Sequence, residues 1–391
     1  MKILYLNYEY PPLGGGGGRC NAELAMQLAD SSHEVTVITA RYKNLPHVEE
    51  KGNISIIRIP ALRKNPDRCS LVEMASFALS ALLFSFRYFI FEKHRFNIVC
   101  IFFSIPTGTA ALAAWITRQP YVVYLRGSDV PRKEIENMKW LYFFCKPFLR
   151  ILWKNASSVI AVSQGLADEA RKTFVDLKCT VIPNGINLSK FKPIIIRPQS
   201  QESQKEIHFM TAGRIRKFKG LQYLIASLPE TIRILDSQGI RILIDMYGDG
   251  DFLWDLIRLS KTNRSFERIC MHGWNDQEKL FDFYSKADVF VQPSLVEGMP
   301  NTILEAMAAG LPIIATDVAG SRDLVKDEVN GIVVEPGNSK ALSEALIKIA
   351  SNSQLRYSMS LSSLERIRDF QWPVLAKRHF DIYQQIVSQS G

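Results

Sequence analysis

The feature that most constrains this 391-residue chain is a pattern it repeats: a short apolar run, a turn, then a helical periodicity. In the first half the runs are ILYLN at 3–7, VTVIT at 35–39, IVCIFF at 98–103, YVVYL at 121–125 and VIAVS at 159–163. Parallel strands need long crossovers that helices fill, so this alternation predicts a doubly wound parallel sheet. A polar stretch from Pro193 to Glu206 breaks the rhythm as a linker does. It then restarts with IHFMTAG at 207–213, IRILIDMYG at 240–248, ICMHG at 269–273, DVFVQPS at 288–294, LPIIAT at 311–316 and GIVVEP at 331–336. The expected architecture is α/β, with two Rossmann-like domains in tandem: residues 1–192, a linker at 193–206, and residues 207–370. Ligands of such sheets sit at the carboxyl ends of strands, and two facing domains make a cleft.

Charge separates the halves. Residues 1–190 hold 24 basic and 15 acidic side chains, whereas residues 191–391 hold 24 of each. A field on one half suits an anionic surface or substrate there, although solubility alone accounts for it equally well. The six cysteines are scattered, with neither a C-x-x-C pair nor a histidine at zinc spacing, which indicates a reducing compartment and no structural metal. The N-terminal MKILYLNYEYPP reads as a first buried strand and not as a signal peptide. Residues 74–86 are uncharged but too short to span a bilayer between Glu73 and Arg87, and residues 96–117 read as strand, loop and helix of a buried layer.

Four stretches rich in glycine or polar residues follow strands. Gly14, Gly15, Gly16, Gly17 and Gly18 precede a helix expected to begin near Cys20 or Asn21, and their amides suit a phosphate. Neither nucleotide-binding fingerprint is matched, so the run alone is a weak signal and a flexible turn is the alternative. In AGRIRKFKG, Gly213 and Arg214 follow a strand and Lys219 enters a helix, forming a plausible diphosphate clamp. YGDGD at 247–251 contains a D-x-D, but its setting reads as a tight loop and not a metal site. In VEGMPNTILEAMAAGLP, residues 296–312, Gly298, Met299, Pro300 and Asn301 open a helix whose amides attract anions, yet Glu297 and Glu305 flank it. One ligand reconciles amides with carboxylates: a nucleotide sugar, whose diphosphate takes cations and amides while its ribose and sugar hydroxyls donate to carboxylates.

With GR-x(4)-KG at 213–220, VIPNGIN at 181–187, the glycine-rich first loop and the E-x(7)-E pair Glu297 and Glu305, the chain resembles the family 4 glycosyltransferases over nearly its whole length. The resemblance implies the GT-B fold, a nucleotide-sugar donor in an interdomain cleft, retention of anomeric configuration and no metal or cofactor, with a UDP-sugar favoured over a GDP-sugar. By position, Arg214 and Lys219 would hold the diphosphate and stabilise the leaving nucleotide. Glu305 would bind ribose hydroxyls, and Glu297 with the amides after it would hold the sugar. The Gly14–Gly18 loop would close on the phosphates, and residues 371–391 would form a helix crossing back to the first domain.

One departure matters: where many members carry a histidine near the donor sugar, this chain has Arg126, in RGSD with Asp129. Arginine cannot act as a base, so Arg126 and Asp129 are candidates for sugar or acceptor contacts or for a buried structural pair. The catalysis implied is electrostatic, the clamp stabilising negative charge that develops on the diphosphate.

Acceptors of such enzymes usually bind the first domain. Residues 132–154, RKEIENMKWLYFFCKPFLRILWK, interleave Lys139, Lys146, Arg150 and Lys154 with Trp140, Tyr142, Phe143, Phe148 and Trp153. That suits a helix lying on an anionic membrane, broken near Pro147, and equally a core helix with a basic edge. The expectation is a peripheral enzyme at the cytoplasmic membrane face that extends a glycan or lipid-linked glycan in bacterial polysaccharide or lipopolysaccharide biosynthesis. The alternatives are a sugar-nucleotide epimerase of the same fold and a basic nucleic-acid-binding protein; no base-reading motif supports nucleic acid as a partner.

Overall fold

The computed structural model describes residues 1–66, 69–91, 95–131, 139–193 and 206–390, without the side chains of 139–141, 277, 278 and 390. The chain divides into two compact units, Met1–Gly185 with Trp372–Gly391, and Ile186–Gln371. The first division thus falls earlier than residue 192, and nearly all of the expected linker, 194–205, lies outside the described residues.

In the first unit the strands are β1 (Lys2–Leu6), β2 (Glu34–Ala40), β3 (Val48–Lys51), β4 (Ile54–Ile59), β5 (Ile98–Phe102), β6 (Tyr121–Leu125), β7 (Ser158–Ala161) and β8 (Thr180–Val181). They form one sheet in the order β3-β4-β2-β1-β5-β6-β7-β8, parallel except for β3 on β4. β5 and β6 are buried along their whole lengths, as strands covered on both faces must be, which is why they read as unbroken apolar runs. β3 was not anticipated because VEEK, a mostly solvent-facing edge strand, carries no apolar signal.

The helices of this unit are α1 (Gly16–Asp30), α2 (Leu71–Phe86), α3 (Ser104–Thr107), α4 (Ala111–Ile116), α5 (Lys139–Lys154) and α6 (Gln164–Thr173). Three differ from expectation. α1 begins at Gly16 and not near Cys20, so three of the five glycines are its first turn. Close packing explains them: a Cβ on Gly17 would lie 2.7 Å from the Phe103 ring.

α2 does not stop before Arg87. A π-helical segment, Arg87–Phe91, continues it, and the 21 residues Leu71–Phe91 are long and apolar enough to cross a membrane. Glu73 is consumed by its capping box, accepting from Ser70 N at 2.6 Å while its own amide donates to Ser70 Oγ at 3.3 Å. α5 runs unbroken through Pro147, which faces solvent, so the helix loses one backbone bond and keeps its buried side. Residues 132–138 of that basic segment lie outside the described residues.

The second unit holds β9 (Glu206–Ala212), β10 (Arg241–Tyr247), β11 (Ile269–Gly273), β12 (Val289–Gln292), β13 (Ile313–Thr316) and β14 (Gly331–Val334), all parallel, in the order β11-β10-β9-β12-β13-β14. Its helices are α7 (Leu221–Ser237), α8 (Leu253–Thr262), α9 (Gln277–Tyr284), α10 (Asn301–Ala308), α11 (Ala319–Leu324), α12 (Ser339–Ala350) and α13 (Ser353–Arg366). In each sheet the winding reverses beside the unit's first strand, between β1 and β5 and between β9 and β12. Crevices open at such switch points.

The last helix, α14 (Trp372–Ser390), belongs to the first unit. Its Tyr383 hydroxyl meets the hydroxyls of Tyr124 and Tyr5 and the Cys100 thiol, and His379 Nδ1 lies 3.2 Å from Tyr124 Oη. Burial pushes the Cys100 thiol up to about 12 and the His379 pKa well below its ordinary value, with the Arg126 and Arg378 charges adding to the latter. Neutral His379 therefore contributes stability that is complete above the unfolded value of about 6.5 and is lost as pH falls toward the depressed folded value, at up to about 1.4 kcal/mol per pH unit. Between about pH 7.5 and about pH 5.5 the melting temperature should fall, and His379→Gln should flatten the slope; an unchanged slope would show that His379 is not the group responsible.

Candidate functional site

The second unit gathers its polar residues where β9 and β12 end. Beyond β9, Gly213 and Arg214 begin a loop that runs through a short 3₁₀ turn, Lys217–Lys219, into α7. Beyond β12 the chain makes an eight-residue loop into α10. The two loops are pressed together. Leu295 N donates to Phe218 O at 2.8 Å, and Gly220, at φ +70°, approaches so closely that a Cβ there would lie 1.7 Å from the Pro293 carbonyl oxygen. Any other residue at 220 would drive the loops apart.

That contact brings Lys219 to Glu297, whose Nζ and Oε1 are 2.7 Å apart with side chains 23% and 10% exposed. The same carboxylate oxygen accepts from Gln292 Nε2 at 2.9 Å and Ser294 Oγ at 2.7 Å. Gln292 also accepts from Thr302 Oγ1 at 2.9 Å, linking the cluster to the first turn of α10. Arg214, Lys219 and Gln292 line one hollow with Gly213 and Tyr247. Glu305 lies in the second turn of α10, buried, and accepts from the Tyr284 hydroxyl at 2.9 Å.

The structure therefore unites Arg214, Lys219, Glu297, Gly298, Met299, Pro300, Asn301 and Glu305 around one switch point. Glu297 is a held carboxylate with Lys219 as its counterion, which leaves the ammonium further donors for an anion. The carboxylates answer to side chains that sequence reading missed, Gln292, Ser294 and Tyr284. Their signal was faint: an amide ending the otherwise apolar strand VFVQ, with a serine two residues on. Asp249 and Asp251 belong to a turn that packs on the 213–215 loop, Ile215 N donating to Asp249 O at 2.9 Å.

In the first unit Gly14–Gly18 follow β1 and lead into α1, with Gly15 N donating to Glu9 Oε2 at 3.3 Å. Asp129 is fully buried and accepts from the amides of Ser104, Arg126 and Gly127 at 2.9, 3.0 and 2.9 Å. Through these bonds the buried carboxylate holds together the loops after β5 and β6. The Arg126 guanidinium instead donates to Asn184 Oδ1 of the VIPNGIN segment and stacks 5.2 Å from Phe102 and 5.6 Å from Tyr124.

Two family models match the chain, Glycosyltransferase Family 4 over residues 14–190 and Glycosyl transferases group 1 over residues 194–363. A putative teichuronic acid biosynthesis glycosyltransferase, TuaC of Bacillus subtilis, is 27% identical over 89% of each chain. The UDP-Gal:alpha-D-GlcNAc-diphosphoundecaprenol alpha-1,3-galactosyltransferase of Escherichia coli is 28% identical over 68% of this chain and 70% of its own. Among solved structures, the sucrose-phosphate synthase of Thermosynechococcus elongatus superimposes with a TM-score of 0.78 at 20% identity, covering both chains fully, which shows the GT-B fold.

The pairing of Lys219 with Glu297 is open to a double-mutant cycle. Lys219→Met and Glu297→Gln should each destabilise more than the double variant implies, with a coupling of about 1 kcal/mol or more in denaturant unfolding at neutral pH. Additive effects would mean that solvent screens the pair fully.

Proposed function

The chain belongs to the family 4 glycosyltransferases, and from that premise we propose that it moves a sugar from a UDP-sugar to a glycan or lipid-linked glycan with retention of anomeric configuration. The observation that carries this reading is the convergence of Arg214, Lys219, Glu297, Glu305 and the start of α10 at one switch point. Arg214 and Lys219 take the diphosphate, and their positive charge stabilises the leaving nucleotide as the anomeric bond breaks. Glu297 aims the Lys219 ammonium and, with the amides of Gly298 to Asn301, receives the donor sugar. Glu305, fixed by Tyr284, accepts from the ribose hydroxyls.

The relatives' names, with their UDP-galactose, diphosphoundecaprenol and teichuronic acid, support a UDP-sugar and an envelope polysaccharide. On this reading the enzyme uses no metal or cofactor and works on a lipid-linked acceptor at the cytoplasmic face of the membrane.

Calorimetric titration with UDP, GDP and ADP should show UDP bound selectively. Arg214→Ala and Glu305→Ala should each weaken it about tenfold or more, equivalent to about 1.4 kcal/mol. Folded protein that binds none of the three would sink the donor reading, and a product anomer opposite to the donor's would sink retention. The basic first half should also bring the protein up with anionic liposomes in low-salt flotation; protein left at the bottom of the gradient would reject membrane association.

A further inference from the structure

Three helical segments of the first unit lie side by side with apolar side chains on their solvent faces. On α2 the buried positions recur every four residues, at Glu73, Phe77, Ala81, Ser85 and Phe89, and the exposed ones do likewise at Leu71, Ala75, Leu79, Leu83, Arg87 and Phe91. A surface helix normally turns charge outward on that stripe. Here Leu79 and Leu83 are 59% and 61% exposed, and 22% of the helix's most apolar stretch is buried. α5 repeats the arrangement: Tyr142, Leu149, Leu152 and Trp153 face inward, while Phe143 and Phe144 are 69% and 72% exposed and Ile151 63%. Between them α4 exposes Trp115 by 58%.

The segments are neighbours in one layer. Thr109 Oγ1 donates to Ala78 O of α2 at 2.8 Å, and a Cβ on the adjacent Gly108 would lie 2.6 Å from Leu152 Cδ2 of α5. Trp153 Nε1 donates to Ser104 Oγ of α3 at 2.8 Å. Charge in these segments is one-sided. Residues 71–91, 104–119 and 139–154 carry Arg87, Arg118, Lys139, Lys146, Arg150 and Lys154 against one acid, Glu73, which is buried in the cap of α2. An apolar surface of this breadth, bordered by cations and without an exposed acid among the described residues of these segments, matches the acyl boundary and headgroups of an anionic bilayer and not the mixed charges of a protein rim.

We infer that the solvent faces of α2, α4 and α5 form a monotopic docking surface that inserts apolar side chains into an anionic lipid bilayer, with the basic residues at headgroup level. This rests on the membrane association proposed above and adds that attachment is hydrophobic as well as electrostatic, with α2 as a principal element. The helix lies along the unit and does not span, because its buried stripe is packed on the 104–110 segment.

The test is flotation of the full chain with vesicles of equal parts phosphatidylglycerol and phosphatidylcholine, in low salt and in about 1 M salt, where the Debye length falls to about 3 Å. Wild type should float in both, because apolar insertion is not screened. Leu79→Glu with Leu83→Glu, and separately Phe144→Glu with Ile151→Glu, should lower partitioning about tenfold or more while circular dichroism and melting temperature stay unchanged. Trp115 fluorescence, obtained by difference from Trp115→Phe, should be quenched by brominated lipid. Wild type that floats only in low salt, with the Leu79/Leu83 variant floating as well as wild type and Trp115 unquenched, overturns this inference and leaves the electrostatic association standing. Wild type that never floats overturns both. A lipid-free dimer that the Leu79/Leu83 variant splits assigns the face to a second copy and overturns it too.

Discussion

The site depends on one close backbone approach, Gly220 against the carbonyl of Pro293. The strands on either side of a switch point send their chains to opposite faces of the sheet, so loops leaving them diverge unless something holds them. Here a residue without a side chain lets the loops after β9 and β12 touch, and Lys219 and Glu297 are brought within an ion-pair distance that neither loop would define alone. The first unit uses the same device at its own switch point, where Gly17 lies beneath the ring of Phe103 from the loop after β5. Glycine at these places is a packing requirement first, and the ligand-binding amides follow from where the backbone is then fixed.

The polar groups around that contact are arranged to keep charge available without leaving it unsatisfied. Glu297 is neutralised by Lys219 and receives two more hydrogen bonds, so a half-buried carboxylate is tolerated beside a helix start that attracts anions. The first unit instead neutralises by enclosure: Asp129 takes three backbone amides, and the hydroxyls of Tyr5, Tyr124 and Tyr383 satisfy one another against α14. One acid is kept within reach of a ligand, and the other is spent on shape.

Much of this was legible in the sequence, and the misses have physical reasons. The alternation of apolar runs and helical periodicity marked eleven of the fourteen strands, because a parallel sheet buried on both faces leaves a continuous apolar signature. β3, β4 and β8 escaped: β3 and β8 are short and solvent-facing, and β4, ISIIRI, carries its own apolar signal, although Arg58 interrupts it. The start of α1 was misplaced because glycine propensity argues against a helix that tertiary packing nonetheless imposes. The solvent faces of α2 and α5 were left unassigned for a related reason. Periodicity reveals that a helix has two faces, but when both are apolar only the packed unit shows which one is left in water.

The sequence by itself determined the fold class, the two-part rhythm and the residue types of the site, since these are set by local periodicity and by side chains immediately following strands. Tertiary structure decided the rest: that Lys219 answers Glu297 across 78 positions, that Tyr284 holds Glu305, and that Asp129 is buried under three backbone amides. The reason is that pairing between distant residues depends on loop geometry and on which faces are covered. No local stretch of sequence contains either.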